Sequence, residues 1–472
     1  MIGLEAQIRT VGRMQPMRLR GRVHALRGLT VLVRDLPVPV GSLVRIDRGG
    51  GSAWGAALGG AGRDGAGRVE GAEDVESLGE VVGFDGRHAI VMMLSAAAGV
   101  RPGNVVEGLR AQQTIGVGWG MLGRVVDGLG RPIDEGGALH GMTPRALDPE
   151  PVSPLRRGRI NRPLATGVRA MDLMTTLGRG QRMGIFAGPG VGKSTLLGSI
   201  ARGTEADIAV VALIGERGRE VKDFIEQSLG AEGLKRSVVV AATSDESALL
   251  RVRAALAACS VAEFFRDQGK SVLLMMDSVT RFAHAQRQIG LSVGEPPATR
   301  GYTPSVFAAM ARLLERAGTM DGGGSITGLY TVLVEGDDMT EPVADAARGI
   351  LDGHVILSRA LAQRAHYPAI DVLDSVSRVA DEVSEGPHVA ARRQIVRLMA
   401  AYRQVEDLVQ IGAYAKGSSP EADVAIRFHP QITEILQQGG RDREAFESAR
   451  SRLIKLAMEA GAEQTKLAGR RP

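Results

Sequence analysis

A single cysteine, Cys259, stands in 472 residues, so no disulfide framework can staple this chain. It sits in the run Ala254-Ala-Leu-Ala-Ala-Cys259, which reads as an inert core thiol and suits a reducing compartment. Aromatic residues make up only 3%, too few to build the stacking platforms that grip single-stranded nucleic acid. The eight histidines are scattered without ligand spacing, which argues against a zinc site. No apolar run approaches the length of a membrane span, and the N-terminus lacks the apolar core of a signal peptide. The expected location is the cytoplasm.

What is plentiful is glycine, at 63 residues, and arginine, which outnumbers lysine. The net charge of +5 is uneven, with Arg9, Arg13, Arg18, Arg20, Arg22, Arg27 and Arg34 crowded into the first segment. Such a segment could meet an acidic partner, lipid headgroups or nucleic acid, or be a plain solvated basic surface. Hydrophobic and charged contents of 44% and 24% are those of a globular protein, long enough for about two or three domains.

Three regions emerge. Residues 1–98 hold short β-branched runs such as Thr30–Arg34 and Ala89–Met93 between Pro and Gly punctuation, which predicts a small β-barrel. Within it, the Gly- and Ala-rich stretch 49–67 reads as a flexible hairpin insertion. From 99 to 379 apolar runs alternate with helical segments, the pattern of a parallel α/β sheet. The runs 208–214, 237–242, 271–276 and 330–334 lack polar alternation and read as strands buried on both faces. From 380 to 472 the pattern turns helical. Phe446, Ala449, Leu453, Leu456 and Ala460 recur at three- and four-residue spacing in a helix predicted over 441–467, a stripe that serves packing first.

Chemistry enters at Ala187-Gly-Pro-Gly-Val-Gly-Lys-Ser-Thr195, between an apolar run and a helical segment. Strand, glycine-rich loop and helix in that order form a phosphate cradle. Backbone N–H groups turn inward on the phosphates and the helix N-terminus adds positive potential. Gly188, Pro189, Gly190, Val191 and Gly192 would form the loop, with Thr195 following. Lys193 would reach the β- and γ-phosphates, and Ser194 would ligate Mg²⁺. The expected ligand is ATP or GTP with Mg²⁺. Ala187 replaces the first glycine of the strict pattern, at a position that needs little space.

Two acidic motifs follow. Gly215-Glu-Arg-Gly-Arg-Glu220 lies at the carboxyl end of a predicted strand, where open α/β sheets place their chemistry. Glu216 there either polarises an attacking water or belongs to a charged loop capping the next helix. Asp277 ends the run 271–276, and either holds Mg²⁺ with the cradle hydroxyl or caps a helix.

The cradle, the Gly215–Glu220 motif and Asp277-Ser-Val-Thr-Arg-Phe282 together resemble the catalytic β subunits of rotary ATP synthases. The segments Gly230–Ser237, Gly294–Tyr302 and Gly336–Asp345 are similar to the flagellum-specific branch of the type III export ATPases. The resemblance runs from about Gly118 to Ala425, with Gly123–Pro132 upstream of the cradle, and is weak over the first 98 residues. It implies a RecA-like P-loop core between the barrel and the helical region. By resemblance Lys193 and Ser194 bind phosphate and magnesium, Glu216 is the general base or positions the water, and Glu220 orients water on the Mg²⁺. Asp277 is the Walker B acid, Arg281 stands at a subunit interface, and Tyr367 stacks on adenine. Tyr414 is a second candidate for that pocket or a core residue. Arg378, which from the residues alone could be any exposed arginine, matches an arginine finger supplied to the neighbouring subunit.

The resemblance further implies a homo-oligomeric, hexameric ring that hydrolyses ATP to energise flagellar protein export. It would release substrates from chaperones and deliver them to export-gate membrane proteins, peripherally at the inner membrane. Its other partners would be a regulatory stator-like protein at the N-terminus, a central stalk protein and acidic lipids, with no nucleic acid. The alternatives are an injectisome ATPase and, more distantly, a Rho-like RNA translocase. A non-catalytic ring subunit is disfavoured because such subunits lack the glutamate present here as Glu216.

Overall fold

The structure is a computed structural model that describes residues 19–48, 77–95, 97–110, 113–334, 336 and 338–468. The insertion expected at 49–67, and Arg9, Arg13 and Arg18, lie outside these residues.

The β-branched runs near the start form a six-stranded antiparallel barrel: β1 (Arg20–Arg27), β2 (Thr30–Arg34), β3 (Leu43–Ile46), β4 (Ser77–Asp85), β5 (His88–Met93) and β6 (Val105–Arg110). Their order is β1-β2-β5-β4-β3-β6, closed because β6 pairs with both β1 and β3. Alternate residues point inward, so Val23, Val33, Val44, Val81, Val91 and Val106 fill the interior at 0–1% exposure. Closure comes from β6, beyond residue 98 where the composition first changes. The barrel therefore reaches further along the chain than its punctuation suggests.

Strands β7 (Thr114–Val117) and β9 (Thr143–Ala146) pair beside the core, and β8 (Val125–Val126) joins the main sheet. That sheet also holds β10 (Arg182–Ala187), β11 (Ile208–Glu216), β12 (Ser237–Thr243), β13 (Ser271–Asp277), β14 (Gly318–Thr319), β15 (Ser325–Leu333), β16 (Gly353–Leu357) and β17 (Ile370–Ser377). Its order is β17-β16-β10-β15-β13-β11-β12-β8, parallel from β16 to β8, with β17 antiparallel at one edge.

The missing alternation in β11 has a direct cause. Val210, Ala212 and Ile214 enter one hydrophobic core, while Val211 and Leu213 enter another on the opposite face. The first core takes α5 (Ala248–Asp267), α6 (Val279–Ser292), α7 (Pro304–Leu314) and α8 (Pro342–Ile350). Cys259 lies in it, fully buried, which pushes its thiol up to about 12 and keeps it unreactive.

The second core takes α1 (Arg169–Met174), α2 (Lys193–Gly203), α3 (Gly218–Asp223) and, at the far end of the chain, α10 (Gly386–Gln410), α11 (Pro420–Leu436) and α12 (Phe446–Ala468). Two shorter helices, α4 (Gly230–Lys235) and α9 (Arg359–Gln363), complete the set named here. Leu196 and Ile200 of α2 thus share one apolar cluster with Ile395, Phe428 and Leu453 of the C-terminal helices. In the stripe Phe446, Ala449, Leu453, Leu456 and Ala460, the last four are buried as the spacing predicts, while Phe446 at the helix start is half-buried. The last helix starts at Phe446 rather than at 441, because Gly439 donates to the Asp442 carboxylate and turns the chain there. No described helix is long and apolar enough to cross a membrane.

Candidate nucleotide site

Because β10, β11 and β13 run parallel, their carboxyl ends bring Ala187, Glu216 and Asp277 to one rim of the sheet. The loop after β10 turns through Gly190 (φ 79°) and Gly192 (φ 90°), left-handed values that favour glycine. Helix α2 then starts at Lys193, so its free N–H groups face the loop. The sequence-predicted cradle, Gly188 to Thr195, is in place at the head of an eleven-residue helix.

The Lys193 ammonium is ion-paired to Asp277 Oδ1 and lies 3.7 Å from Glu216 Oε1. Asp277 is held from the other side by Thr331 Oγ1, which donates to Oδ1 at 2.7 Å from the neighbouring strand β15. Thr331 escaped sequence analysis because nothing in the run marks which strand adjoins β13. Burial pushes the Glu216 carboxyl up to about 7; the Asp277 charge adds to that, and Lys193 opposes it. Glu216 shares a hydrogen bond with Glu220, whose carboxyl that bond, together with Arg217 at 2.8 Å, holds below its ordinary range. Among the described residues Glu216 Oε1 is buried without a hydrogen-bond donor, the Lys193 ammonium standing at 3.7 Å. In a folded protein such an atom calls for a ligand or water.

Arg281 packs its aliphatic stem on Gly215, whose φ of 71° and lack of Cβ permit the approach; a Cβ there would meet the stem at 3.1 Å. Its amide is capped by Ser278 at 3.3 Å. The Asp277–Ser278 and Tyr367–Pro368 peptides are both cis.

Beside the cradle opens a cavity of about 460 Å³ bounded by Gly192, Thr195, Tyr367, Pro368, Gln438 and Gly440, among others. Tyr367 is 46% exposed at its mouth and stands over Gly192. Its lining is mostly apolar, as suits a flat aromatic base. Gln438, Gly439 and Gly440 come from the turn between α11 and α12, some 245 residues after the cradle, and sequence analysis missed them. The only signal was the Gly-Gly pair after a helical run.

Two predicted residues lie elsewhere. Tyr414 is not on this cavity: its hydroxyl contacts Ser419 O at 3.3 Å and Asp423 Oδ1 at 3.1 Å, bracing the turn between α10 and α11. The adenine-pocket expectation for Tyr414 finds no support within the chain, since that turn sits at the far end of α10. Arg378 is exposed just past β17, with its guanidinium 3.5 Å from Arg348 O, and also stays off the cavity of its own chain.

This geometry meets independent likeness. Residues 167–377 match the ATP synthase alpha/beta family, nucleotide-binding domain, and residues 384–455 match the T3SS EscN ATPase C-terminal domain. The chain is 48% identical to the flagellum-specific ATP synthase of Pseudomonas aeruginosa, covering 94% of each. It is 51% identical to the type 3 secretion system ATPase of Xanthomonas euvesicatoria, over 81% of this chain and 86% of that one. Among solved structures, the assembled ATPase EscN of enteropathogenic E. coli, in complex with its central stalk EscO, superposes with a TM-score of 0.81 at 41% identity, covering 93% of this chain and 100% of that one. The chain belongs to the ATP synthase alpha/beta family, in the branch of the flagellar and type III secretion ATPases, and is an ATPase.

Proposed function

We propose that this ATPase hydrolyses Mg-ATP as a homo-oligomeric, hexameric ring and energises flagellar protein export. The observation that carries the chemistry is the single cluster of Lys193, Glu216 and Asp277 at the head of α2, with Glu216 poised near neutral pH. The Ser194 hydroxyl and the carboxylates of Asp277 and Glu220 are oxygen donors that suit a hard divalent cation arriving with the nucleotide. The buried, unpartnered Glu216 oxygen suits a water.

With Mg-ATP bound, Lys193 leaves the two carboxylates for the β- and γ-phosphates. Glu216 orients the attacking water and takes its proton as the β–γ bridging P–O bond breaks and ADP leaves. Arg378, off its own cavity, serves the neighbouring subunit's γ-phosphate. A finger of this kind accelerates hydrolysis about 10³–10⁵-fold, so assembly would switch catalysis on.

The assembled EscN, in complex with its central stalk EscO, supports self-assembly and a central stalk partner here. The stator-like regulator, export gate, chaperone–substrate complexes, acidic lipids and a peripheral place at the inner membrane follow from the same family reading. The Rho-like alternative is set aside because the chain belongs to this family. The injectisome reading stays as the second, on the identity to the Xanthomonas protein. Lys193→Ala in the chromosomal copy separates them. Loss of swimming, restored by the wild-type gene, is the result expected. Full motility with an active purified wild-type enzyme would move the assignment to another secretion system.

A further inference from the structure

The C-terminal helical region reaches back into the nucleotide cavity through one side chain. The Gln438 backbone N–H donates to Tyr367 O at 2.9 Å. Its side-chain oxygen accepts from the Arg169 amide at 2.8 Å, and its side-chain nitrogen donates to Gly167 O and Asp442 O, both at 2.9 Å. One residue thus joins the segment bearing Tyr367, the start of α1 and its own turn. It does so while bounding the cavity with an amide whose two N–H donors are both engaged within the chain, leaving one lone pair of its oxygen.

The turn around it is clasped from two further directions. Arg169 returns its guanidinium to Ile435 O at 2.8 Å and to Glu444 at 3.1 Å. From α2, Ser199 Oγ and the Arg202 guanidinium donate to Gly440 O at 3.0 and 2.8 Å. The helix that begins with the phosphate-binding lysine therefore ends tied to the turn that walls the base.

The geometry points to Gln438 as a positioning residue for nucleotide binding. It holds the Tyr367 segment and the 437–444 turn in register, so that the C-terminal helices set how tightly the base is held without touching the chemistry. The inference rests on the reading that this cavity takes the base of Mg-ATP. Tyr367 is half-exposed and, among the described residues, its one side-chain hydrogen bond runs from its hydroxyl to Ala362 O at 3.3 Å. Its placement therefore depends on what fixes its backbone. Removing the Gln438 side chain cuts three hydrogen bonds, two of which leave the turn, and lets it separate from α1.

The test is steady-state hydrolysis by full-length Gln438→Ala, with competitive inhibition by ADP and by pyrophosphate, both with magnesium. Pyrophosphate occupies the cradle but has no base. Expected are KM for ATP and the inhibition constant of ADP each raised about tenfold, kcat within about twofold, and an unchanged pyrophosphate constant. Gln438→Glu, which keeps the bond from the Arg169 amide but turns an acceptor oxygen toward Gly167 O and Asp442 O, should show the same split at least as strongly. In a Tyr367→Ala background the further loss of Gln438 should leave KM unmoved, because the two act as one unit. Unchanged KM in a folded variant overturns the inference. So does a pyrophosphate constant that rises with that of ADP, or additive effects in the double variant. A wild-type enzyme that does not hydrolyse ATP would instead overturn the function on which the inference rests.

Discussion

The ammonium of Lys193 is ion-paired to Asp277 and stands 3.7 Å from Glu216, so one cation is shared by two carboxylates at the same end of the sheet. Side chains at this junction are 6–14% exposed, which makes each charge dependent on the others. On the proposed function, Lys193 would turn to the phosphates of Mg-ATP and Asp277 would help hold the metal. Substrate binding would then exchange one set of ion pairs for another.

Lys193→Ala removes both the phosphate contact and that counter-charge. Hydrolysis should fall about 10²–10³-fold in a phosphate-release assay. The Glu216 carboxyl should titrate still higher in the variant, because the lysine is the group that opposes its upward shift.

Glu216→Gln should lower kcat about 10²–10⁴-fold with little change in KM, since the amide keeps the shape but cannot take the proton. The wild-type carboxyl, raised from the usual 4.5 to about 7, is protonated below that pH in the free enzyme. The limb of kcat/KM should therefore climb as pH rises through about 7, and the Glu216→Gln variant should lose that limb. Stability moves the opposite way. The proton this group holds favours the fold fully below pH 4.5, and that contribution is lost as pH rises through about 7.

Tyr367→Ala should raise KM for ATP about tenfold, the loss of one aromatic stack. Tyr414→Phe should leave KM unchanged, since it removes only bonds within the α10–α11 turn. Paired nucleotide titrations of the two variants check both expectations.

Away from the site, Arg253 of α5 donates to Glu80 of β4 at 2.9 Å, with side chains only 5% and 8% exposed. Burial lifts the Glu80 carboxyl above its ordinary range, while Arg253 and Gln113 pull against that rise. Arg253→Ala strands that carboxylate between barrel and core and should cost about 3–5 kcal/mol in urea unfolding. Arg253→Met paired with Glu80→Leu should recover most of it.

The cradle, the Glu216 loop and Asp277 were legible in sequence because each lies within a few residues of the strand end that positions it. The strands were legible because β11 feeds two cores and carries no polar alternation. What could not be read there depends on long-range packing. Strand β6 closes the barrel only by pairing with β1 and β3, and Thr331 meets Asp277 only because β15 adjoins β13. Gln438 reaches the cavity beside the cradle only because α11 packs on α1. Tyr414, by resemblance a second candidate for the pocket or a core residue, is half-buried and braces its turn through its hydroxyl, a contact set by the return of α11 and not by the residues beside it.

The proposed active site is finished by a neighbour, with Glu216 from one subunit and Arg378 from the next. Its most direct test mixes two variants, Glu216→Gln and Arg378→Ala, each nearly inactive alone. In randomly mixed rings an Arg378→Ala subunit keeps its own Glu216 and can borrow an intact arginine from a Glu216→Gln neighbour. Equal mixing should then restore ATP hydrolysis to as much as about a quarter of the wild-type rate, the share of interfaces with the right pairing. A mixture no more active than its parents, in rings shown to contain both chains, would contradict the account.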